Sequence, residues 1–140
     1  MKALCIANDP AGLADHQQGR AVAIESRYPL TVGKRYAVVG MSIVERAFFL
    51  LVRDDAGGPC FAPAGFFEIF DAGVPQGWRF ALGAGVHASG RALWSAPTVA
   101  TWGYRELIDD AFHLQALLEF EPAALTIFDR YVDAAEAAGT

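Results

Sequence analysis

Cys60 and His87 are the residue types of a thiol nucleophile and its general base, because a thiol reacts as the thiolate, which a nearby base or positive field stabilises. Cys60, however, lies between Pro59 and Phe61 in a predicted strand, and this setting is typical of a small buried apolar side chain. The sequence therefore favours a non-catalytic protein. A small enzyme that uses Cys60, His87 and carboxylates remains an alternative.

The remaining histidines and cysteines do not have the spacing of a metal site. His16, His87 and His113 are scattered, and Cys5 and Cys60 belong to no paired motif of the kind that binds zinc. The segment 83–90 contains three glycines but does not complete the spacing of a phosphate-binding loop. The sequence thus predicts no metal and no cofactor.

Adjacent acidic residues raise a further possibility. Asp54 and Asp55, together with Glu68 or Asp71, could bind a cation or act as an acid and base pair. The two aspartates also stand before Gly57 and Gly58, where turn formation explains them without any such role. We favour the turn.

Acidic residues are concentrated at one end of the chain. The formal net charge is −5, and residues 105–140 hold two basic and eight acidic side chains, which argues against a nucleic-acid binder. Like charges at helical spacing are mildly unfavourable unless a cation neutralises them. We therefore predict a docking surface for a protein with a basic face, although a solvated helix face is the alternative. Its residues are Asp109, Asp110, Asp129, Asp133 and Glu136, with Trp78 as an aromatic anchor.

Short apolar runs separated by Gly, Pro and Asp predict a mainly β region from residue 1 to about residue 100. The segment 54–59 predicts a hairpin, since its glycines accept positive φ. The predicted strands are Lys2–Ala7, Ala21–Ser26, Lys34–Gly40, Phe48–Arg53, Cys60–Ala62 and Trp78–Leu82, with a weaker one near Ala92–Ser95.

Helical periodicity replaces this pattern after Thr101. Apolar residues recur every three or four positions in two segments, which predicts a C-terminal pair of helices over residues 101–140. Pro122 suits the first position of the second helix. Asp110 could cap a shorter first helix.

The segment from Leu30 to Asp71 resembles small bacterial proteins with an SH3-like β-barrel. The resemblance rests on Leu-Thr-Val-Gly-Lys-Arg-Tyr-Ala-Val at 30–38, the Asp-Ala-Gly hairpin at 55–57 and Phe-Glu-Ile at 67–69. It implies an α+β protein, mainly an antiparallel SH3-like barrel, with the helical pair following it. Some such proteins resemble immunity proteins that neutralise a toxin by binding it. No binding residue carries over, because the aromatic groove that SH3 domains use for Pro-rich peptides has no counterpart here.

Length and composition are typical of a single cytoplasmic domain over residues 1–140. The longest uninterrupted apolar run is residues 47–52, too short to cross a bilayer, and the N-terminus lacks the apolar region of a signal peptide. We predict a non-catalytic protein-binding module, in its most concrete form an immunity protein that occludes a toxin. The second alternative to this function is a ligand-binding regulatory domain whose pocket lies at the mouth of the barrel, under the helices.

Overall fold

The computed structural model of the protein describes residues 1–13, 27–44, 47–82 and 99–138. Their strands form two antiparallel sheets, one of three strands in the order β2-β1-β6 and one of five in the order β5-β4-β3-β8-β7. The strands are β1 (Lys2–Cys5), β2 (Arg35–Ala37), β3 (Gly40–Val44), β4 (Ala47–Arg53), β5 (Pro59–Pro63), β6 (Phe67–Asp71), β7 (Arg79–Leu82) and β8 (Val99–Gly103).

Three α-helices follow the last strand: α1 (Arg105–Asp109), α2 (Ala111–Leu118) and α3 (Pro122–Ala137). Asp110 separates the first two, and its carboxylate accepts hydrogen bonds from the backbone of Phe112 and His113 at the start of α2. Pro122 opens α3, where its missing N–H costs no hydrogen bond. Short 3₁₀ turns span Pro10–Gly12 and Ala64–Phe66.

Strand β4 is apolar on both faces because it separates two cores. Leu50 and Val52 belong to the core that also holds residues of the three-stranded sheet, whereas Leu51 packs with Leu107 and Phe128 of the helices. This alternation follows from the two-residue period of a strand. The large sheet therefore lies between the small sheet and the helical layer.

The chain passes between the sheets at Val38 and Val39. The backbone N–H of Val38 donates to the carbonyl of Met1, next to β1 of the small sheet. The backbone N–H of Val39 donates to the carbonyl of Leu51 in the large sheet, and each hydrogen bond is 3.0 Å long. Their side chains are 0% and 3% exposed and lie in different cores. Two adjacent buried valines thus direct the backbone from one sheet to the other.

Two glycines allow helix α1 to approach the large sheet closely. Gly40 of β3 and Gly103 of β8 are paired across the sheet. A Cβ atom at Gly103 would lie 2.6 Å from Cδ2 of Leu107, 3.0 Å from the carbonyl oxygen of Val39 and 3.2 Å from Cα of Gly40. The missing side chains make room for Leu107, which is 4% exposed.

The predicted SH3-like barrel is wrong, although the class is α+β and the sheets are antiparallel. The predicted meander over residues 30–71 is divided between two sheets that do not close on one another within the described residues. Strand β1 lies between β2 and β6, and β3 is paired on both sides by β4 and β8, so β2 and β3 are not neighbours in a sheet. The predicted helical pair is also wrong, because Asp110 divides the first helical segment in two.

Local strand predictions fared better than the topology. The hairpin is confirmed: β4 and β5 pair from Phe49 opposite Pro63 to Arg53 opposite Pro59. Strand β8 was missed, since it extends to Gly103, beyond the predicted change to helix. The predicted strands at 21–26 and 92–95 lie outside the described residues.

Candidate functional site

Three of the predicted docking carboxylates surround one arginine of the hairpin. Nη1 of Arg53 lies 3.2 Å from Asp129 and 3.0 Å from Asp133, and Nη2 lies 3.2 Å from Glu136. Burial disfavours the charged guanidinium, but hydrogen bonds to Asp133 and Asp129 outweigh it and raise the pKa of Arg53. We call these four residues the Arg53 cluster. One of the three negative charges is thus offset from within the molecule, and the Arg53 cluster keeps a net charge of −2.

The other two docking carboxylates also have partners in the chain. Asp109 lies 2.9 Å from Nε of Arg79, which joins helix α1 to strand β7. Asp110 serves as the N-cap of α2. Both roles are structural, and neither carboxylate belongs to the Arg53 cluster.

Cys60 is unsuited to act as a nucleophile. It is 9% exposed in the core between the sheets, and burial raises the pKa of its thiol to about 12. A thiol with such a pKa is protonated at neutral pH. Its proposed base, His87, lies outside the described residues, as does His16.

Of the two aspartates in the hairpin turn, Asp54 makes contacts within the turn, whereas the carboxylate of Asp55 bonds to residues outside it. Oδ1 of Asp54 accepts hydrogen bonds from the backbone of Ala56 and Gly58, each 3.0 Å long. The carboxylate of Asp55 accepts hydrogen bonds from Lys34 and Tyr36, both 2.8 Å long, and from the hydroxyl of Thr31. These hydrogen bonds, led by those from Lys34 and Thr31, lower the pKa of Asp55 to about 2. Among the described residues, no group of three or more His, Cys, Asp or Glu side chains is arranged to hold a metal ion.

Trp78 lines a cleft with a volume of about 680 Å³. The cleft lies between helix α3 and the loop that joins β6 to β7. The backbone N–H of Trp78 donates to the carbonyl of Pro75 in a hydrogen bond of 3.2 Å, and Gly77 takes a φ of 94°, so a tight turn fixes the backbone before Trp78. The partly buried side chain of Trp78 packs against the core between the sheets. We define the cleft by its lining: Met1, Lys2, Val38, Val39, Asp71, residues 73–78, Tyr104, Arg105, Tyr131, Ala134, Ala135 and Ala138.

One wall of the cleft is formed by Tyr131, which stacks on Tyr104, a buried residue that is 1% exposed. The rings of Tyr104 and Tyr131 are 4.4 Å apart and inclined by 17°. The hydroxyl of Tyr104 and Nε2 of His113 are 2.6 Å apart in the interior, and the hydroxyl of Tyr131 donates to Glu106 over 2.9 Å. Both rings are therefore fixed by hydrogen bonds at their polar ends, which makes the wall rigid.

Burial determines the ionisation of this wall. It lowers the pKa of His113 against the opposing charges of Asp110 and Glu106, and it raises the pKa of Tyr104 far above the ordinary value. Burial also opposes ionisation of Glu106, but hydrogen bonds from Tyr131 and Arg105 lower its pKa overall. At neutral pH the wall consists of two neutral phenols, a neutral imidazole and one carboxylate.

The charged residues of the cleft are Lys2, Arg105 and Asp71. Nζ of Lys2 donates to the carbonyl of Ala138 at the C-terminus of α3 over 2.6 Å, as expected for a cation at the negative end of a helix. Asp71 accepts a hydrogen bond from the backbone of Gly73 over 3.1 Å. The cleft thus carries a net positive charge on an acidic protein.

Of the other tryptophans, Trp102 lies on β8 with its ring 4.8 Å from that of the half-exposed Phe80, and Trp94 lies outside the described residues. Sequence reasoning found Trp78 but missed Tyr104, Arg105 and Tyr131. A tyrosine and an arginine at the start of a helix carry no spacing signal, and the loop that faces them is separated in sequence by about thirty residues or more.

Comparison with known proteins gives no relative from which to transfer a function: no protein-family model, no curated protein and no solved structure matches the chain. The resemblance to immunity proteins is untested by these comparisons. No helix within the described ranges is long and apolar enough to span a membrane.

Proposed function

We propose that this is a non-catalytic cytoplasmic binding protein that holds a small organic molecule in the cleft between α3 and the β6–β7 loop. The observation that carries the proposal is the cleft itself. Its volume of about 680 Å³ lies within the range of roughly 300–1,000 Å³ found for small-molecule sites. Its walls are mostly apolar or aromatic, with a few charged groups, which is the usual composition of such sites.

The surroundings of the cleft favour binding over chemistry. Tyr104 and His113 keep their polar atoms in the buried interior, and the Glu106 carboxylate is engaged by Tyr131 and two arginines. Nucleophilic or acid–base catalysis needs a group whose reactive atom is available to the bound molecule. The cleft has a rigid wall with few side chains whose reactive atoms are available to a bound molecule.

A neutral apolar dye tests this function. N-phenyl-1-naphthylamine fluoresces when it leaves water, so titration with the dye reports an accessible apolar site. We expect saturable binding by the parent protein and at least a tenfold weaker affinity in Ala134→Trp, whose indole would fill the cleft. Ala123→Trp is the matched control, because Ala123 is also exposed on α3 but does not line the cleft. Equal binding by both variants would contradict the proposal.

A protein partner, as in the immunity hypothesis, is the second candidate. It is favoured by large apolar side chains outside the cleft that are more than half exposed: Leu82 at 72%, Phe112 at 68% and Phe80 at 52%. Such side chains act as anchors when a partner buries them. Co-purification with the product of the adjacent gene, lost in Phe112→Ser but retained in Ala134→Trp, would favour this function over the small-molecule site.

A further inference from the structure

We infer that the molecule in the cleft is an organic anion, with an apolar body against the tyrosine wall and one carboxylate or sulfonate group held by Arg105. This inference rests on the proposed function and specifies its ligand. It follows from three observations: the charge of the cleft, the unused donors of Arg105 and the shape of the opposite wall.

The first observation is the balance of charge. Lys2 and Arg105 line the cleft with one carboxylate, Asp71. Just behind the lining, Glu106 is matched by Arg130, whose Nη2 lies 3.3 Å away. Including this second pair still leaves one positive charge in excess. In a chain with a formal net charge of −5, a positive cleft concentrates an anionic ligand and excludes a cationic one.

The second observation concerns the free donors of Arg105. Only Nε of this side chain has a polar partner among the described residues, Glu106 at 3.3 Å. Its terminal nitrogens are left without a contact in those residues, and the side chain is 70% exposed. The fixed geometry of a guanidinium matches the two oxygens of a carboxylate or sulfonate. Lys2 is the weaker candidate because its ammonium already bonds to the end of α3.

The third observation concerns the body of the ligand. On α3 the cleft is lined by Ala134, Ala135 and Ala138, whose small side chains leave space next to Tyr131. The facing loop contributes Val74, Pro75 and Trp78. A flat apolar group fits between these walls, and its burial supplies most of the affinity, while the anion sets the orientation.

The test compares two dyes with the same aromatic body. 1-Anilinonaphthalene-8-sulfonate carries one sulfonate, and N-phenyl-1-naphthylamine carries none. We expect the parent protein to bind the sulfonate at least tenfold more tightly than the neutral dye, and raised salt to reduce this preference. In Arg105→Gln the sulfonate should bind about tenfold more weakly, with the affinity for the neutral dye unchanged.

Arg79→Gln is the matched control. Arg79 is 58% exposed and, like Arg105, contacts a carboxylate of helix α1 through Nε, that of Asp109, but it does not line the cleft. We expect its affinity for both dyes to equal that of the parent. Circular dichroism and urea unfolding confirm that both glutamine variants are folded before they are compared.

The outcomes separate the inference from the proposed function. If Ala134→Trp weakens both dyes but the parent shows no preference for the sulfonate, the inference is wrong and the cleft function stands. An equal loss of sulfonate binding in Arg105→Gln and Arg79→Gln would also overturn it, since the effect would then be one of overall charge. If Ala134→Trp weakens neither dye, the cleft is not the site and both proposals fail.

Discussion

Arg53 and Arg105 are both paired with helical carboxylates, but they differ in how much of each guanidinium is used. Arg53 is 24% exposed and is shared by three carboxylates of α3. Arg105 is 70% exposed and, within the described part of the chain, makes one polar contact, from Nε to Glu106. The guanidinium of Arg53 is engaged in ion pairs that hold the hairpin to α3. The guanidinium of Arg105 keeps its terminal N–H donors available at the rim of the cleft.

This difference shows that the charge of a cluster cannot be read from the sequence alone, since the Arg53 cluster combines three carboxylates with one arginine and keeps a net charge of −2. The Arg53 cluster stands out in the sequence as an acidic stripe, yet the fold brings a cation to its centre. The cleft has no such signature, yet it keeps an excess of positive charge. What matters for binding is the charge that remains after the fold has paired its own residues.

The largest expected effect comes from removing the close approach that positions Arg105. In Gly103→Ala the new methyl group would meet Leu107 and the backbone of Val39 and Gly40. Because two of these contacts are to backbone, we expect the free energy of unfolding to fall by about 2–3 kcal/mol. Urea unfolding measures this loss.

The same variant should weaken binding in the cleft, since α1 carries Arg105. Gly103→Ala combined with Leu107→Ala should be less destabilising than the sum of the two changes, because the alanine at 107 removes one of the clashes. Strict additivity would mean that Leu107 does not limit the space at Gly103.

Removing the arginine from the Arg53 cluster should have the next largest effect. Arg53→Leu retains an apolar stem but leaves Asp129, Asp133 and Glu136 facing one another without their cation. We expect a loss of about 1–2 kcal/mol in the free energy of unfolding, measured in low salt. High salt should reduce the loss, because it screens the repulsion. A loss that is independent of salt would assign the effect to packing of the stem instead.

Sequence patterns predicted the parts of this molecule that depend on neighbouring residues. The hairpin at 54–59, the cap at Asp110 and the start of α3 at Pro122 are all local. The partition into two sheets depends on the hydrogen bonds of Val38 and Val39, which go to Met1 and Leu51 in different sheets. Hydrophobic periodicity in the sequence does not predict these long-range partners. The barrel prediction failed there, and the cleft was missed for the same reason.

The wall of the cleft predicts a pH dependence of stability. Burial lowers the pKa of His113 in the folded protein, so the unfolded chain binds a proton more readily. Stability from the neutral imidazole is therefore complete above the unfolded pKa, about 6.5, and declines as the pH falls below it, by no more than about 1.4 kcal/mol per pH unit.

His113→Gln isolates this contribution, since an amide retains hydrogen-bonding capacity toward Tyr104 but does not titrate. Urea unfolding at pH 7 and pH 5 should show a steeper loss in the parent than in the variant. Parallel pH profiles would indicate that His113 titrates alike in both states and that the decline comes from other groups.

The smallest expected effect sharpens the contrast between a shared and a single ion pair. Asp133 is 67% exposed, and its removal leaves Arg53 with Asp129 and Glu136 while it relieves repulsion between the carboxylates. We therefore expect Asp133→Asn to change the free energy of unfolding by less than about 0.5 kcal/mol. Asp109→Asn is the comparison, because Asp109 forms a single ion pair among the described residues, with Arg79 at 2.9 Å. If Asp133→Asn costs as much as Arg53→Leu, Asp133 is the one carboxylate that the arginine requires, and the other two are incidental neighbours.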